Sequence, residues 1–575
     1  MQRGLGEAAR SWGGSAVLGV PPMSDCRGFP HERLPWFPPL AIASRQRIYR
    51  ASQRGDVRVV RKLQKTLMKS WSAKMIAVRR VTQQNKGKKT AGIDGVKALT
   101  NKQRLKLVTS LNTLKKAQPT RRVWIPKPGK EEKRPLGIPT IYDRTLQALA
   151  KMALEAEWEA KFEPNSYGFR TGRSCHDAIE AIFSNIRLKP KWVLDADITK
   201  CFDEINQETL LEKLNTYPSM RRLIKSWLKA GVMDNGIFMS TDKGTPQGGV
   251  ISPLLANIAL HGMEQAVWNH ANSVKGKKTY YKRGLSLIRY ADDFVIMHPD
   301  RNVVEEYQNI INKWLENIGL KLKPSKTKIT YTFDGFDFLG FNIRQYKVGK
   351  NHSKQGFKTI IKPSKKEVRR HYEQLSSTID RHRAAPQEAL INHLKPIIKG
   401  WCNYYKTVCS KEVFNSLGNM LWNKLQRWGY RRHPKKSKTW VNKKYWGTID
   451  EDRWTFMKNQ SQYLPKHNKT DIVRHTKVQD TRSPYDGDLI YWSTRMRKHP
   501  EMTTQKGRLL ERQEGKCAHC GLTFTDEDLL EKHHILPRAL GGNNQDKNLE
   551  LLHLHCHDIK HGKRINSSEL DANPF

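Results

Sequence analysis

From Val60 to Val78 the apolar positions Val60, Leu63, Leu67, Trp71, Met75 and Val78 recur at steps of three and four, with basic residues between them. That is the period of one helix face, so the pattern predicts an amphipathic helix with a cationic wet side. Between residues 90 and 345 short apolar strands alternate with helical stretches, which is an α+β arrangement. Residues 192–198 read as a strand that carries Asp195 and Asp197 on one face of the pleat and breaks at Thr199-Lys200, before Cys201-Phe202-Asp203. Residues 285–289 and 294–297 read as two further strands. The segment between them, Tyr290-Ala291-Asp292-Asp293, places two carboxylates at a hairpin tip. A glycine-rich run from Gly244 to Pro253 precedes an apolar helix over 254–260, and closely spaced glycines let backbone approach a ligand without Cβ obstruction. Residues 365–445 are helical in pattern and very basic, with interleaved Trp and Tyr.

These shifts divide a chain of 575 residues, long enough for several folding units, as follows. Residues 1–44 are Gly- and Pro-rich without a period and are expected to form a poorly ordered extension, with Met23 as an alternative start. An α+β unit covers 45–360, a helical unit 361–445, a charged and weakly periodic region 446–505, and a small Cys/His unit 506–575. The fold class expected is therefore α+β multidomain.

Charge narrows the function. The chain has 103 Lys and Arg against 55 Asp and Glu, a formal charge of +48 that is spread over nearly its whole length. Only a polyanion such as a phosphate backbone offsets the self-repulsion of that excess. Sixteen Trp and eighteen Tyr among the basic residues add surfaces for unstacked bases. Eight cysteines are too few for a disulfide scaffold in so long a chain, and three fall in one short carboxy-terminal region, as metal ligands in a reducing compartment would. No apolar run is long enough to span a bilayer and no signal-peptide core is evident, so a soluble intracellular protein without a membrane partner is expected.

The acids suggest a chemistry. Nucleotidyl transfer uses two magnesium ions, one activating a primer 3′-hydroxyl and one neutralising pyrophosphate, and carboxylates at converging strand ends can hold them. Cys517 and Cys520 are spaced for tetrahedral zinc. Cys556 with His553 makes a second pair, and His555 is an alternative fourth ligand. Around this frame lie His533-His534, Asn548, His557 and His561.

Tyr290-Ala291-Asp292-Asp293 resembles the Tyr-x-Asp-Asp box of reverse transcriptases, and Asp197 with Phe202 resembles their first palm motif. The resemblance implies that Asp197, Asp292 and Asp293 form a magnesium-binding catalytic triad and that Phe202 lies against the sugar and excludes a 2′-hydroxyl. It also implies that Gln247 helps position the template. In the segment 121–139 it implies a fingers hairpin in which Lys127 and Arg134 clamp the incoming deoxynucleoside triphosphate. Ser166-Tyr167-Gly168-Phe169-Arg170, Gly319-Leu320 with Lys326-Thr327-Lys328, and Phe338-Leu339-Gly340-Phe341 continue the same ordered series. Residues 394–405 resemble the maturase, or X, domain of group II intron proteins, a helical thumb that also binds intron RNA, and the resemblance implies that 446–505 is a DNA-binding region. The last unit resembles a ββα-metal HNH nuclease. In it His533, His557 and His561 would hold a divalent ion, His534 would act as general base, Asn548 would orient His534, and zinc would be structural. The resemblance thus points to a group II intron-encoded protein combining reverse transcriptase, maturase and DNA-nicking activities in target-primed reverse transcription. Its partners would be intron RNA and target DNA, and its setting a bacterial cytoplasm and nucleoid, or an organelle. A splicing-only RNA-binding protein is the competing reading.

Overall fold

The computed structural model describes residues 38–126, 132–500, 502–525 and 528–561. Lys127 and residues 1–37 lie outside the described residues. The first helix, Pro38–Gln53, begins inside the stretch expected as an extension, and buries Ile48, Tyr49 and Ala51. The single amphipathic helix expected through Val60 to Val78 is two helices, Val57–Lys69 and Trp71–Arg79. Ser70 separates them: its backbone is extended (φ −61°, ψ 126°) and its side chain accepts a hydrogen bond from Ala73 N–H, which caps the second helix. Periodicity survives because a one-residue break barely rotates the apolar stripe.

The central sheet has four strands in the order Ser286–Tyr290, Asp293–His298, Trp192–Asp197, Lys328–Tyr331, all antiparallel. Helix Arg301–Glu316 packs on it, as does helix Cys175–Ile186. Leu194 and Ile296 join one core while Val193 and Val295 join another, so the inner strands read as continuous apolar runs. A second sheet starts from the hairpin Thr120–Pro126 with Lys133–Ile138 and adds Val232–Asp234 and Ile237–Met239.

After a three-stranded sheet come the helices Lys365–Arg381, Gln387–Tyr405, Lys411–Arg432 and Lys438–Tyr445. They join the core under the central sheet: Phe341 stacks on Tyr404 at 5.2 Å, and the Tyr404 and Tyr405 hydroxyls donate to Leu339 O and Gly340 O.

The weakly periodic region holds regular elements that its pattern does not display. Strands Trp446–Ile449, Asp452–Asn459 and Gln462–Tyr463 form a sheet. A following irregular segment is strapped to the first half of the chain. The buried Asp177 carboxylate accepts from His475 at 3.1 Å, Val478 N–H at 2.8 Å and Arg495 at 2.5 Å. Arg173 donates to Asp480 O at 2.7 Å, and Tyr485 donates to Glu155 at 3.1 Å. Its order comes from contacts some 300 residues away in sequence, which leave no local period.

In the last region helix Thr504–Arg512, the antiparallel pair Leu530–His534 and Leu549–His553, and helix Leu554–Lys560 enclose a small core of Leu509, Leu510, Phe524, Leu551 and Leu552. Among the described residues no helix is long and apolar enough to cross a membrane.

Candidate catalytic and metal-binding sites

Register decides the first site. Asp197 and Asp293 face each other directly across the antiparallel ladder, and Asp292 stands at the turn beside them. Like charges in that relation destabilise a sheet, so the pair belongs to a place that receives a cation. Burial, then the charges of Asp292 and Asp197, push the Asp293 carboxyl up to about 7, and burial also raises Asp292. The Lys326 ammonium sits 2.5 Å from Asp197 Oδ2 and supplies balancing charge. Burial opposes the lysine's charge, but Asp197, Asp293 and Asp292 together hold its pKa above the usual value.

The tip is held from beneath by residues that sequence reasoning left without a role. Arg289 is fully buried; its guanidinium donates to Asn257 Oδ1 at 3.0 Å and to Ala291 O at 3.2 Å. Asn257 Nδ2 donates to Gly168 O at 2.8 Å. Gly168 lies so close that a Cβ there would meet Ala291 N at 2.3 Å. The signal for Arg289 was present: a cation inside an apolar strand is retained only where it is hydrogen-bonded.

Phe202 begins beneath a loop that only glycine permits. Gly244 has φ +75°, and a Cβ on it would meet Phe202 O and Asp203 O at 2.5 Å. Thr245 N–H donates to Phe202 O at 2.6 Å. The Phe202 ring meets Phe169 edge-to-face at 6.0 Å, and Phe169, named in the sequence only as part of a motif and given no role there, is itself half-exposed. Gln247 Nε2 donates to both Asp203 carboxylate oxygens at 3.3 Å, and Gln247 O accepts from Gly137 N–H at 2.5 Å, tying the glycine loop to the hairpin. Arg134 is exposed on that hairpin, and its charge acts on Asp203 and Asp292.

The second site is a group of four. Cys517, Cys520, His553 and Cys556 bring their ligand atoms within 4.8 Å of one another. Here His553, not His555, joins the cysteines. His553 Nδ1 faces Cys520 Sγ at 3.4 Å while Nε2 faces Asp528 at 3.6 Å, and Asp528 in turn accepts from Thr525 N–H at 2.7 Å. A carboxylate behind a histidine ligand fixes its tautomer, so this donor set fits a tetrahedral metal.

The third site is His533, His557 and His561, whose ligand atoms also lie within 4.8 Å. His533 Nδ1 is 3.0 Å from His561 Nε2. Strand alternation turns the neighbouring His534 to the other face, where its Nε2 meets Asn544 Oδ1 at 2.9 Å. Asn548, expected to orient His534, reaches the residues that follow His534 in the chain. Asn548 instead braces the loop before it, donating to Leu536 O at 3.1 Å and Asn543 O at 2.9 Å and accepting from Leu536 N–H at 2.8 Å. The Asn548 amide is thereby engaged by backbone groups of Leu536 and Asn543.

Comparison with known families joins these sites. Residues 42–111 match the N-terminal domain of reverse transcriptase, 125–343 the reverse transcriptase (RNA-dependent DNA polymerase), 368–446 the group II intron maturase-specific domain, and 517–563 the HNH endonuclease. The chain belongs to the group II intron-encoded proteins. This intron-encoded protein is 34% identical over 327 residues to Protein YkfC of Escherichia coli (strain K12), covering 50% of this chain and 84% of that protein. It is 30% identical over 326 residues to the Group II intron-encoded protein LtrA of Lactococcus lactis subsp. cremoris, covering 46% of this chain and 54% of LtrA, about half of that relative's length. Maturase-like protein 1 of Euglena gracilis is 28% identical over 64% of this chain and 75% of its own. The intron-encoded protein thus carries reverse transcriptase, maturase and HNH endonuclease domains on one mixed α/β chain.

Proposed function

We propose that this protein performs target-primed reverse transcription: its HNH domain nicks one strand of a target DNA, and its palm extends the new 3′ end on intron RNA. The carrying observation is the facing pair Asp197 and Asp293 with Asp292 at the adjoining turn. In this reading the central sheet is a palm, the Thr120–Ile138 hairpin belongs to the fingers, and the helices after 365 are a thumb that also binds intron RNA as a maturase. Asp197, Asp292 and Asp293 hold the metal; a pair of magnesium ions, when bound, lowers the pKa of the primer hydroxyl and offsets charge on the leaving pyrophosphate. Phe202 stands against the deoxyribose, Gln247 and its loop set the template base, and Arg134 with Lys127 binds the triphosphate.

In the nuclease, His533, His557 and His561 would hold one divalent ion, His534 would take a proton from water, and Asn548, bracing the residues that follow His534, would orient its imidazole together with Asn544. Zinc on Cys517, Cys520, His553 and Cys556 supports a domain whose own core is small. The splicing-only alternative would have no use for three palm acids gathered at one turn and a three-histidine cluster, so it is not favoured. The protein would work in the cytoplasm or nucleoid of a bacterium, or in an organelle. Primer extension on an RNA template with magnesium and deoxynucleotides tests the reading: full activity in an Asp293→Asn variant overturns it.

A further inference from the structure

Between helix Lys411–Arg432 and the sheet that follows the helical unit lies a cleft of about 310 Å³, within the ~300–1,000 Å³ of small-ligand sites. Trp446 and Phe456 are buried in it, while Trp422 and Trp454 on its walls are 39% and 51% exposed. Two indoles left in water at the mouth of one cleft mark a binding surface rather than packing. Lys411, Lys466 and Lys469 stand beside it, with one carboxylate, Asp452, to balance them.

Two details belong to its lining. Gly418 sits inside the helix, where glycine costs stability relative to alanine. No atom lies within 4 Å of where its Cβ would stand. Packing does not demand glycine there; what it preserves is the open space of the cleft. Asn468 Oδ1 is buried without a hydrogen-bond partner, although the Asn468 backbone carbonyl accepts from Lys411 Nζ at 2.6 Å. An aromatic slot with an unused amide acceptor and neighbouring cations is suited to an unstacked base carrying an exocyclic amino group on a phosphate chain.

We infer that this cleft captures an unpaired base of an RNA strand between Trp422 and Trp454, with Asn468 accepting from its amino group. The inference rests on the RNA-binding reading of the helical unit. It commits to RNA because the wall that carries Gly418 and Trp422 falls inside the stretch matching the maturase-specific domain.

Fluorescence anisotropy of the full-length protein tests it, with a short mixed-sequence oligoribonucleotide, the same strand made abasic, and the DNA counterpart. Wild type binds the base-bearing RNA about tenfold more tightly than the abasic strand. Gly418→Leu, which fills the slot while favouring helix, and the double change Trp422→Ala with Trp454→Ala both bring binding down to the abasic level. Trp422→Phe with Trp454→Phe keeps most of the difference, which separates stacking from misfolding. Gly418→Leu binding base-bearing RNA like wild type overturns the cleft while leaving salt-dependent RNA binding, and so the maturase reading, in place. A loss confined to the DNA strand overturns the RNA commitment. Wild type binding neither RNA strand sinks both readings.

Discussion

Lys326 Nζ lies 2.5 Å from Asp197 Oδ2, and its charge also reaches Asp293 and Asp292. The ammonium stabilises a set of acids that the β-ladder forces together. Asp293→Asn keeps the shape of the side chain and removes one of the facing charges. Primer extension is expected to fall at least about 100-fold, with the melting temperature unchanged or raised, because mutual repulsion is relieved. Extension assays and thermal melts on the same preparation check both halves.

Gly168 is the floor on which the acidic turn rests. A methyl group there would meet Ala291 N at 2.3 Å and Tyr290 C at 2.9 Å, both backbone atoms that cannot rotate away. Gly168→Ala should displace the Asp292 and Asp293 carboxylates and lower kcat by roughly 10–100-fold, since misplacement by about an ångström costs on that order. Unchanged kcat would show that the tip does not need this support.

Phe202 is partly buried and braced by Phe169. Removing its ring in Phe202→Val opens space beside the sugar, so ribonucleotide incorporation relative to deoxynucleotide should rise by at least about tenfold. If discrimination stays as in wild type, the ring packs the loop Gly244-Thr245 and gates nothing.

His371 and His467 form a buried pair, Nε2 to Nε2 at 3.0 Å, with His371 stacked on Trp401 at 4.5 Å. Burial pushes His371 down to about 3 and His467 down to about 4. Both stay neutral in the folded state well below the unfolded value near 6.5. Stability from this pair is therefore complete above pH ~6.5 and is lost as pH falls toward 4, by a few kcal/mol. Chemical denaturation at a series of pH values should show that slope, and His467→Phe should flatten it.

The nuclease and the palm should separate by mutation. His534→Ala is expected to remove DNA nicking and leave primer extension near wild type, because His534 lies on the strand face away from the small core. Cys517→Ala opens a buried four-ligand cluster and should lower zinc content, nicking and DNA binding together. Nicking, zinc and extension measured on the three proteins decide it; extension lost in His534→Ala would mean that the strap anchored at Asp177 couples the two sites.

The central strands were legible because their burial makes continuous apolar runs, and the acidic turn because two carboxylates interrupt those runs. Ligand spacing displayed Cys517 and Cys520 in the same way. These are local facts, written in neighbouring residues. The chain alone left the fourth ligand open between His553 and His555, and it did not display Asn544 beside His534. Both answers depend on which way a side chain turns from a strand or helix, and packing against Asp528 and Asn544 sets that. The break at Ser70 was hidden because a single extended residue leaves the apolar stripe almost in phase. The order of the strap after residue 470 was hidden for the opposite reason: its hydrogen bonds go to Asp177, Arg173 and Glu155, some 300 residues distant, and nothing in its own pattern records them. Sequence determined the elements and the chemistry they carry; only the tertiary structure decided the partners, because a partner's identity is a property of distance in space rather than along the chain.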